Sequence, residues 1–271
     1  MATVPGGAAQ VLARFGDQTI TCSPYALSKL RIDKTHCFLK IKDYMIPCVP
    51  YRFGFKKSLF IASLSLKELV FFKKYKDTTI GLSISFIPKN NKTQELVKFL
   101  IRCCLISVDP VANRENTGIF EVDYKTTPDE LVILLGNFLD TQERFKIQYE
   151  DYGKTSIKMT PEAAKIMGYN MAAIVVPNTE PKRVQMYMIS TKSIEHLEAN
   201  TGDVRAQGSS VNYHLSFKKY RIAITGVARS CGVLPNGMIR TISNLPFDPE
   251  LVEVIHDYWY ALQQKQEGKA D

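Results

Sequence analysis

The sequence offers little material for metal, disulfide or membrane-spanning chemistry. Its 271 residues include six cysteines and four histidines, and no two cysteines form a C-x-x-C pair. Because zinc sites need closely spaced ligand pairs, the cysteines are predicted to be buried small hydrophobic residues, and no metal is expected. No apolar run approaches the roughly 20 residues that a membrane-spanning helix needs, so no membrane span is expected either.

Signatures of the common enzyme classes are also missing. The chain has no G-x-S-x-G motif, no P-loop and no Rossmann glycine fingerprint. Its histidines share no metal-ligand spacing, and its carboxylates form no convincing pair, so we expect no catalytic residues and no enzyme activity. The first nine residues lack the basic and apolar regions of a secretory signal, which predicts a cytoplasmic location.

Positive charge is in excess, and it is unevenly distributed. The first 140 residues carry 19 Lys and Arg against 13 Asp and Glu, an excess of six, and the remainder an excess of two, which gives the net +8. Such an excess attracts polyanions such as nucleic acid or acidic protein surfaces, although solvated loop lysines are the alternative interpretation. The basic residues cluster at two places: Arg52, Lys56, Lys57 and Lys73, Lys74, Lys76.

The hydrophobic pattern is mainly that of β-strands. Residues 79–88 alternate so that Ile80, Leu82, Ile84 and Phe86 share one side of a strand. Each half of the chain contains about five or six such runs followed by one helix. The fold class is therefore predicted to be mainly β, with two tandem small β-barrels, each closed by a C-terminal helix.

Helix-start signals and composition set the predicted domain boundaries. Thr127 and Pro128 begin the first closing helix, which is expected to end near Asp140, and Asp248 and Pro249 begin the second. A shorter helix begins at Thr160. Residues 93–108 fit a helical stripe and a strand equally well. The predicted parts are a flexible N-terminus (1–20), an N-terminal barrel domain (21–141), an interdomain linker (142–157) and a C-terminal barrel domain (158–271).

The linker has two interpretations. Its charged, tyrosine-rich sequence is typical of an ordinary interdomain connection. It would also suit a hinge at which a ligand sets the orientation of two domains.

The order of segments in the second half resembles a PilZ domain, on the strength of residues 188–193, 224–229 and 238–246 between a charged linker and a terminal helix. The resemblance implies a six-stranded barrel that binds cyclic di-GMP. Together with the barrel-like first half, the chain resembles the two-domain PilZ proteins of spirochaetes, with an N-terminal PilZ-like domain.

The ligand motifs that the resemblance implies are eroded. The family has Asp/Asn-x-Ser-x-x-Gly at a strand end, of which Ser190 remains, with Met188 and Ser193 at the other two positions. The family also has Arg-x-x-x-Arg in the linker. One register puts Tyr152 and Ser156 at those positions, and another puts Arg144 and Gln148 there. Each lost charge-assisted contact weakens binding by roughly 1.5–3 kcal/mol, so cyclic di-GMP binding is expected to be weak or absent.

Some substitute chemistry for the ligand remains, in four cations, two tyrosines and a serine at the end of a strand. The candidate ligand-binding residues are Arg144, Lys146, Tyr149, Tyr152, Lys154, Ser190 and Lys192. We therefore expect a non-enzymatic adaptor that binds a protein partner, with no cofactor. The alternatives are a functional cyclic di-GMP receptor and, because basic and aromatic residues do not interleave, a less favoured nucleic-acid-binding protein.

Overall fold

The chain folds into two compact units. A computed structural model describes residues 7–88, 96–176, 180–200 and 204–267, and it divides into Met1–Thr141 and Gln142–Asp271. Within these described ranges, no helix has the length and apolar content needed to cross a bilayer. The same residues contain no group of three or more His, Cys, Asp and Glu arranged to hold a metal ion.

Within residues 7–88 and 96–141, unit 1 is an antiparallel β-structure with four helices. Its elements are α1 (Ala8–Phe15), β1 (Thr19–Thr21), α2 (Pro24–Leu30), β2 (Ile32–Ile41), β3 (Tyr44–Pro47), β4 (Val49–Gly54), β5 (Lys57–Ser63), α3 (Leu66–Lys73), β6 (Thr79–Phe86), β7 (Val97–Pro110), β8 (Thr117–Tyr124) and α4 (Asp129–Tyr152). The last helix continues beyond Thr141 into unit 2.

The sheet of unit 1 is closed by one bent strand. Its eight strands are ordered β1-β4-β5-β8-β7-β6-β2-β3. Only Cys48 separates β3 from β4, and its N–H donates to the Cys37 carbonyl on β2 at 3.0 Å. The chain therefore pairs with β2 through β3 and with β5 through β4, which completes a circuit of six strands. Pro47 and Pro50 lie at this bend, and the register shifts between Pro50 and Arg52, as expected for proline at a bulge.

Unit 2 is built on the same plan. Its elements are β9 (Ile157–Lys158), α5 (Pro161–Met167), β10 (Tyr169–Ile174), β11 (Lys182–Ile189), β12 (Ser193–Ala199), β13 (Ser210–Phe217), β14 (Arg221–Val233), β15 (Met238–Asn244) and α6 (Pro249–Glu267). The strand order is β10-β13-β14-β15-β12-β11-β9, and β10 also pairs with β11. Six strands thus form a closed barrel, which confirms the predicted mainly-β fold.

The two circuits have identical topology. We number the barrel strands of each unit in chain order and count β3 and β4 as one strand. The order of strands around both circuits is then 1-2-3-6-5-4. In both units a short strand pairs with the second barrel strand, β1 with β4 and β9 with β11. In both, a capped helix that begins with proline precedes the first barrel strand: Ser23 caps α2, and Thr160 caps α5. The chain is therefore a structural tandem repeat.

Burial resolves the ambiguous segment as a strand. In β7 the alternate residues Phe99, Ile101, Cys103 and Leu105 are buried, whereas Leu100 is 81% exposed. A helical stripe would have buried Leu100 together with Ile101. The segment is thus a core strand, and the part of the prediction at residues 93–95 lies outside the described residues.

The sequence predicted a flexible N-terminus, whereas residues 8–20 contain a helix and part of a strand in the structure. These residues form α1 and most of β1, because Val11 and Phe15 lie one helical turn apart and are both buried. Val11 packs on Gly136 of α4, where an added Cβ would lie 2.3 Å from the Val11 Cγ1. Residues 1–6 lie outside the described residues.

Two further predictions about helices are corrected. The helix expected to end near Asp140 continues to Tyr152, so residues 142–152 of the predicted linker are helical. The hydroxyl of Thr127 donates to the Phe55 carbonyl at 2.6 Å, and the helix begins two residues later, at Asp129. In unit 2, by contrast, Asp248 accepts a hydrogen bond from the Leu251 N–H at 2.8 Å, as its predicted capping role requires.

The interior of the second barrel contains a chain of polar side chains. The Tyr213 hydroxyl lies 2.7 Å from the Ser243 Oγ and 3.1 Å from the His196 Nδ1. The opposite edge of His196 faces Glu198, whose carboxylate pairs with Arg205 and, at 2.9 Å, with Lys182. Burial alone would raise the pKa of Glu198, but its contacts with His196, Arg205 and Lys182 hold that pKa well below its usual range.

The close approach of α1 to α4 predicts the effect of Gly136→Ala. Contact with Val11 should destabilise unit 1 by roughly 1–3 kcal/mol, partly offset by about 1 kcal/mol of helix propensity. We expect a net loss of up to about 2 kcal/mol, measured by urea unfolding followed by circular dichroism. Adding Val11→Ala should relieve the contact, so that the double variant loses less than the two single losses added together. A simple stabilisation by Gly136→Ala would contradict the contact.

The Glu198 cluster predicts a pH-dependent contribution to stability. Glu198→Gln should lower the unfolding free energy of unit 2 by about 2–3 kcal/mol at neutral pH, because it leaves two cations without their carboxylate. The folded pKa is depressed, so this contribution is present above the ordinary value of 4.5 and is lost as the pH falls towards the folded value. The difference between the two proteins should therefore shrink below about pH 4.

Trp259, the single tryptophan, lies on α6 and reports the unfolding of this unit by fluorescence. The control for Glu198 is Glu162→Gln, which removes an exposed pair with Lys265 and should change stability by less than about 1 kcal/mol. A difference between wild type and Glu198→Gln that stayed constant with pH would contradict the assignment.

Candidate functional site

The candidate site in unit 2 is built on the hairpin turn between β11 and β12. At this turn the Ser190 N–H donates to the Ser193 carbonyl at 2.8 Å. The Ser190 Oγ accepts from the backbone N–H groups of Lys192 at 3.2 Å and Ser193 at 3.0 Å, and it lies 2.9 Å from the Ser193 Oγ. Ser190 is fully buried. Its hydroxyl therefore holds the turn closed.

The turn is fastened to the last turns of α4 by its second residue. The fully buried Thr191 donates its hydroxyl proton to the Tyr149 carbonyl at 2.7 Å. The same carbonyl accepts the Gly153 N–H at 3.1 Å. A helix end and a hairpin turn thus share one acceptor.

Tyr149 makes a second connection, to the segment after β15. Its hydroxyl donates to the Leu245 carbonyl at 2.9 Å, and its ring meets Phe247 edge-on at 5.6 Å. The Leu245 N–H in turn donates to the Lys192 carbonyl at 2.8 Å. Burial raises the pKa of the Tyr149 phenol, so the phenol remains a neutral donor at physiological pH.

Lys192 is engaged by the chain itself. Its Nζ pairs with the Glu150 carboxylate and lies 5.2 Å from the centre of the Tyr149 ring. Its aliphatic part packs against Gly153, where an added Cβ would lie 2.5 Å from the Lys192 Cγ. The ammonium group is thus compensated by a carboxylate and held over an aromatic ring.

The other candidates lie outside this cluster. The Tyr152 hydroxyl lies 2.9 Å from the His256 Nδ1 on α6, and burial raises the pKa of this tyrosine. Lys154 pairs with Asp151 at 2.9 Å, and this hydrogen bond raises the pKa of the lysine. Arg144 and Lys146 lie exposed on α4. The structure therefore brings together Tyr149, Ser190 and Lys192 and separates the remaining four predicted residues from them.

Sequence reasoning missed the residues that complete the cluster. These are Glu150, Gly153, Thr191, Leu245 and Phe247. Gly153 offered a signal, since a glycine directly after a helix marks its end. The other four have no local signature, because their partners are distant in sequence.

A family model for the PilZN3 domain matches residues 9–142. Unit 1 is a PilZN3 domain. The match ends beside the unit boundary after Thr141. It confirms the resemblance to PilZ proteins in the half of the chain where the sequence motifs were weaker.

Several solved structures are similar to the chain at low identity. Borreliella burgdorferi PlzA, in complex with c-di-GMP, is 15% identical over 93% of this chain and 97% of PlzA, with a TM-score of 0.43. K. pneumonia MrkH, in its c-di-GMP complex, is 12% identical over 93% of this chain and 99% of MrkH, with a TM-score of 0.33. Escherichia coli YcgR, also with c-di-GMP, is 12% identical over 91% and 90%, with a TM-score of 0.29. No curated protein matches the chain.

The contact between the turn and α4 predicts the effect of Thr191→Val. Valine keeps the shape but loses the hydrogen bond to the Tyr149 carbonyl, so unit 2 should lose about 1–2 kcal/mol of stability. Thr191→Ser keeps the hydroxyl and should lose less. Urea unfolding followed by the fluorescence of Trp259 measures both. Equal losses in the two variants would mean that the methyl group, and not the hydrogen bond, fastens the turn.

Proposed function

We propose that the chain is a non-enzymatic PilZ-type regulatory protein that acts through a protein partner and binds cyclic di-GMP weakly or not at all. The observation that carries this proposal is the occupation of the motif turn by the chain's own groups. The Ser190 hydroxyl is used inside the turn, and Lys192 is neutralised by Glu150. A nucleotide would have to compete with these contacts.

The charge available to a nucleotide also supports weak binding. Receptors of this type use two arginines, whose planar guanidinium groups bind phosphate oxygens in pairs and stack on bases. In this chain Arg144 and Lys146 lie apart from the turn cluster, and Lys154 is paired with Asp151. The Lys192 ammonium is a single point charge that already has a partner. Two or three lost contacts of this kind reduce affinity by several orders of magnitude.

The fold supports the PilZ-type assignment independently of the motifs. Unit 1 matches the PilZN3 model, and unit 2 repeats its strand circuit and its capped helix. The proposed role is that of an adaptor, in which this scaffold is kept and its surface binds a protein. The basic excess of the first half favours an acidic partner surface for that half.

Titration calorimetry of the full chain with cyclic di-GMP tests the proposal. We expect a dissociation constant weaker than about 100 µM, because the paired arginines and the Asp/Asn and Gly of the motif are absent. A micromolar constant that is lost in Arg144→Ala/Lys146→Ala would establish the alternative, a receptor with substitute residues.

A variant with the motifs restored serves as the positive control. It carries Tyr152→Arg, Ser156→Arg, Met188→Asp and Ser193→Gly, which place the family's residues at its motif positions. Cyclic di-GMP should bind this variant at least about tenfold more tightly than the wild type, since two charge-assisted contacts return. If the variant is folded by circular dichroism and still does not bind, the missing motif residues are not the reason for weak binding.

A further inference from the structure

Two cations of unit 1 lie in one row on the outer side of three neighbouring strands. The register places Lys40 of β2 opposite Gly81 of β6, and Gly81 opposite Arg102 of β7. Directly opposed residues of an antiparallel sheet share one side. The residues that alternate with them, such as Leu39 and Leu82, are buried in the core. Two cations therefore flank a position that has no side chain, on the exposed side of the sheet.

Apolar side chains project from the same surface. Leu100, two residues before Arg102 on β7, is 81% exposed, and Met45, directly opposite Lys40, is 63% exposed. Lys98 extends the line of outward residues on β7. We name this surface the β6 face and define it by Lys40, Met45, Gly81, Lys98, Leu100 and Arg102.

The positive charge of the β6 face is not compensated. Within the ranges that the structure describes, the side chains of Lys40, Lys98 and Arg102 form no ion pair and no hydrogen bond. Two carboxylates lie near the face in the register: Asp123 is opposite Cys104 on one side and Lys57 on the other, and Asp33 is opposite Ser85, which is itself opposite Lys98. Among the described residues, neither carboxylate pairs with a cation of the face. A local excess of cations around a flat surface attracts an anionic partner.

We propose that the β6 face docks unit 1 on an anionic membrane surface. The apolar side chains decide between possible partners, because Leu100 and Met45 project outwards instead of lining a pocket. A protein partner anchors its central residues in pockets, and single-stranded nucleic acid needs several stacking aromatics. The boundary between the headgroups and the acyl chains of a membrane accepts projecting apolar side chains, and the lipid phosphates contact the surrounding Lys and Arg.

The test is sedimentation of the full chain with vesicles of defined composition. The protein should bind vesicles of phosphatidylcholine mixed with phosphatidylglycerol and should not bind phosphatidylcholine alone, and added salt should weaken binding. Each cation near such a surface contributes about fivefold to the binding constant. Lys40→Glu/Arg102→Glu should therefore bind at least about 25-fold more weakly. Leu100→Gln should bind more weakly without any change in charge.

Two variants outside the β6 face are the controls. Lys67→Glu/Lys218→Glu changes the net charge equally, and Leu66→Gln removes a similarly exposed leucine, at 73%; both should bind nearly as the wild type does. All substituted side chains are exposed, so circular dichroism should show unchanged folding, and Leu100→Gln tests the face independently of the charge variant.

Three outcomes would overturn the proposal. The first is no binding to the anionic vesicles, and the second is an equal loss in the two double charge variants, which would indicate diffuse attraction. The third is tight binding to a single-stranded oligonucleotide or an acidic peptide that depends on Lys40 and Arg102 but not on Leu100. That result would assign the surface to a different class of partner.

Discussion

The hydrogen bond from Thr191 to the Tyr149 carbonyl is the constraint on which the candidate site depends. It joins two segments that lie 42 residues apart and is fully buried at its threonine end. With this contact in place, Lys192 reaches both Glu150 and the Tyr149 ring. The turn that would face a nucleotide in a receptor is thereby held against its own helix, and the cation nearest to it is already neutralised. The proposed loss of cyclic di-GMP binding thus rests on what the remaining residues do as well as on those that are missing.

The sequence predicted this protein well wherever the determining contacts are local. The cap at Thr160, the cap at Asp248 and the alternation in β6 are contained within a few residues, and all three were predicted correctly. Similar local signals were overlooked: Ser65 and Glu68 form the capping box of α3, and Ser23 with Pro24 begins α2. The latter, set beside Thr160 and Pro161, was the best evidence in the sequence for the tandem repeat.

Long-range contacts account for what could not be predicted. The motif comparison identified the turn that contains Ser190, but not that its hydroxyl would be used within the turn. The sequence predicted the same role for Tyr149 and Tyr152, yet Tyr149 contacts the turn and Tyr152 contacts His256 on α6. The prediction of a flexible N-terminus was based on its small side chains, whereas the burial of Val11 depends on Gly136, 125 positions later. No pattern of spacing contains these partners.

Strand β12 shows why unit 2 suits an adaptor that holds one conformation. It is preceded by the closed turn at Ser190, and near its other end Glu198 is fixed by two cations. A ligand moves a protein only by as much as its affinities for the two states differ. Displacing β12 would either break the ion pairs of the buried Glu198 carboxylate or open the buried turn at Ser190. Each change is expected to require several kcal/mol. Under the proposed function, a ligand without these charge-assisted contacts would not supply that difference, and the proposed regulation relies on surfaces of this barrel that a protein partner recognises.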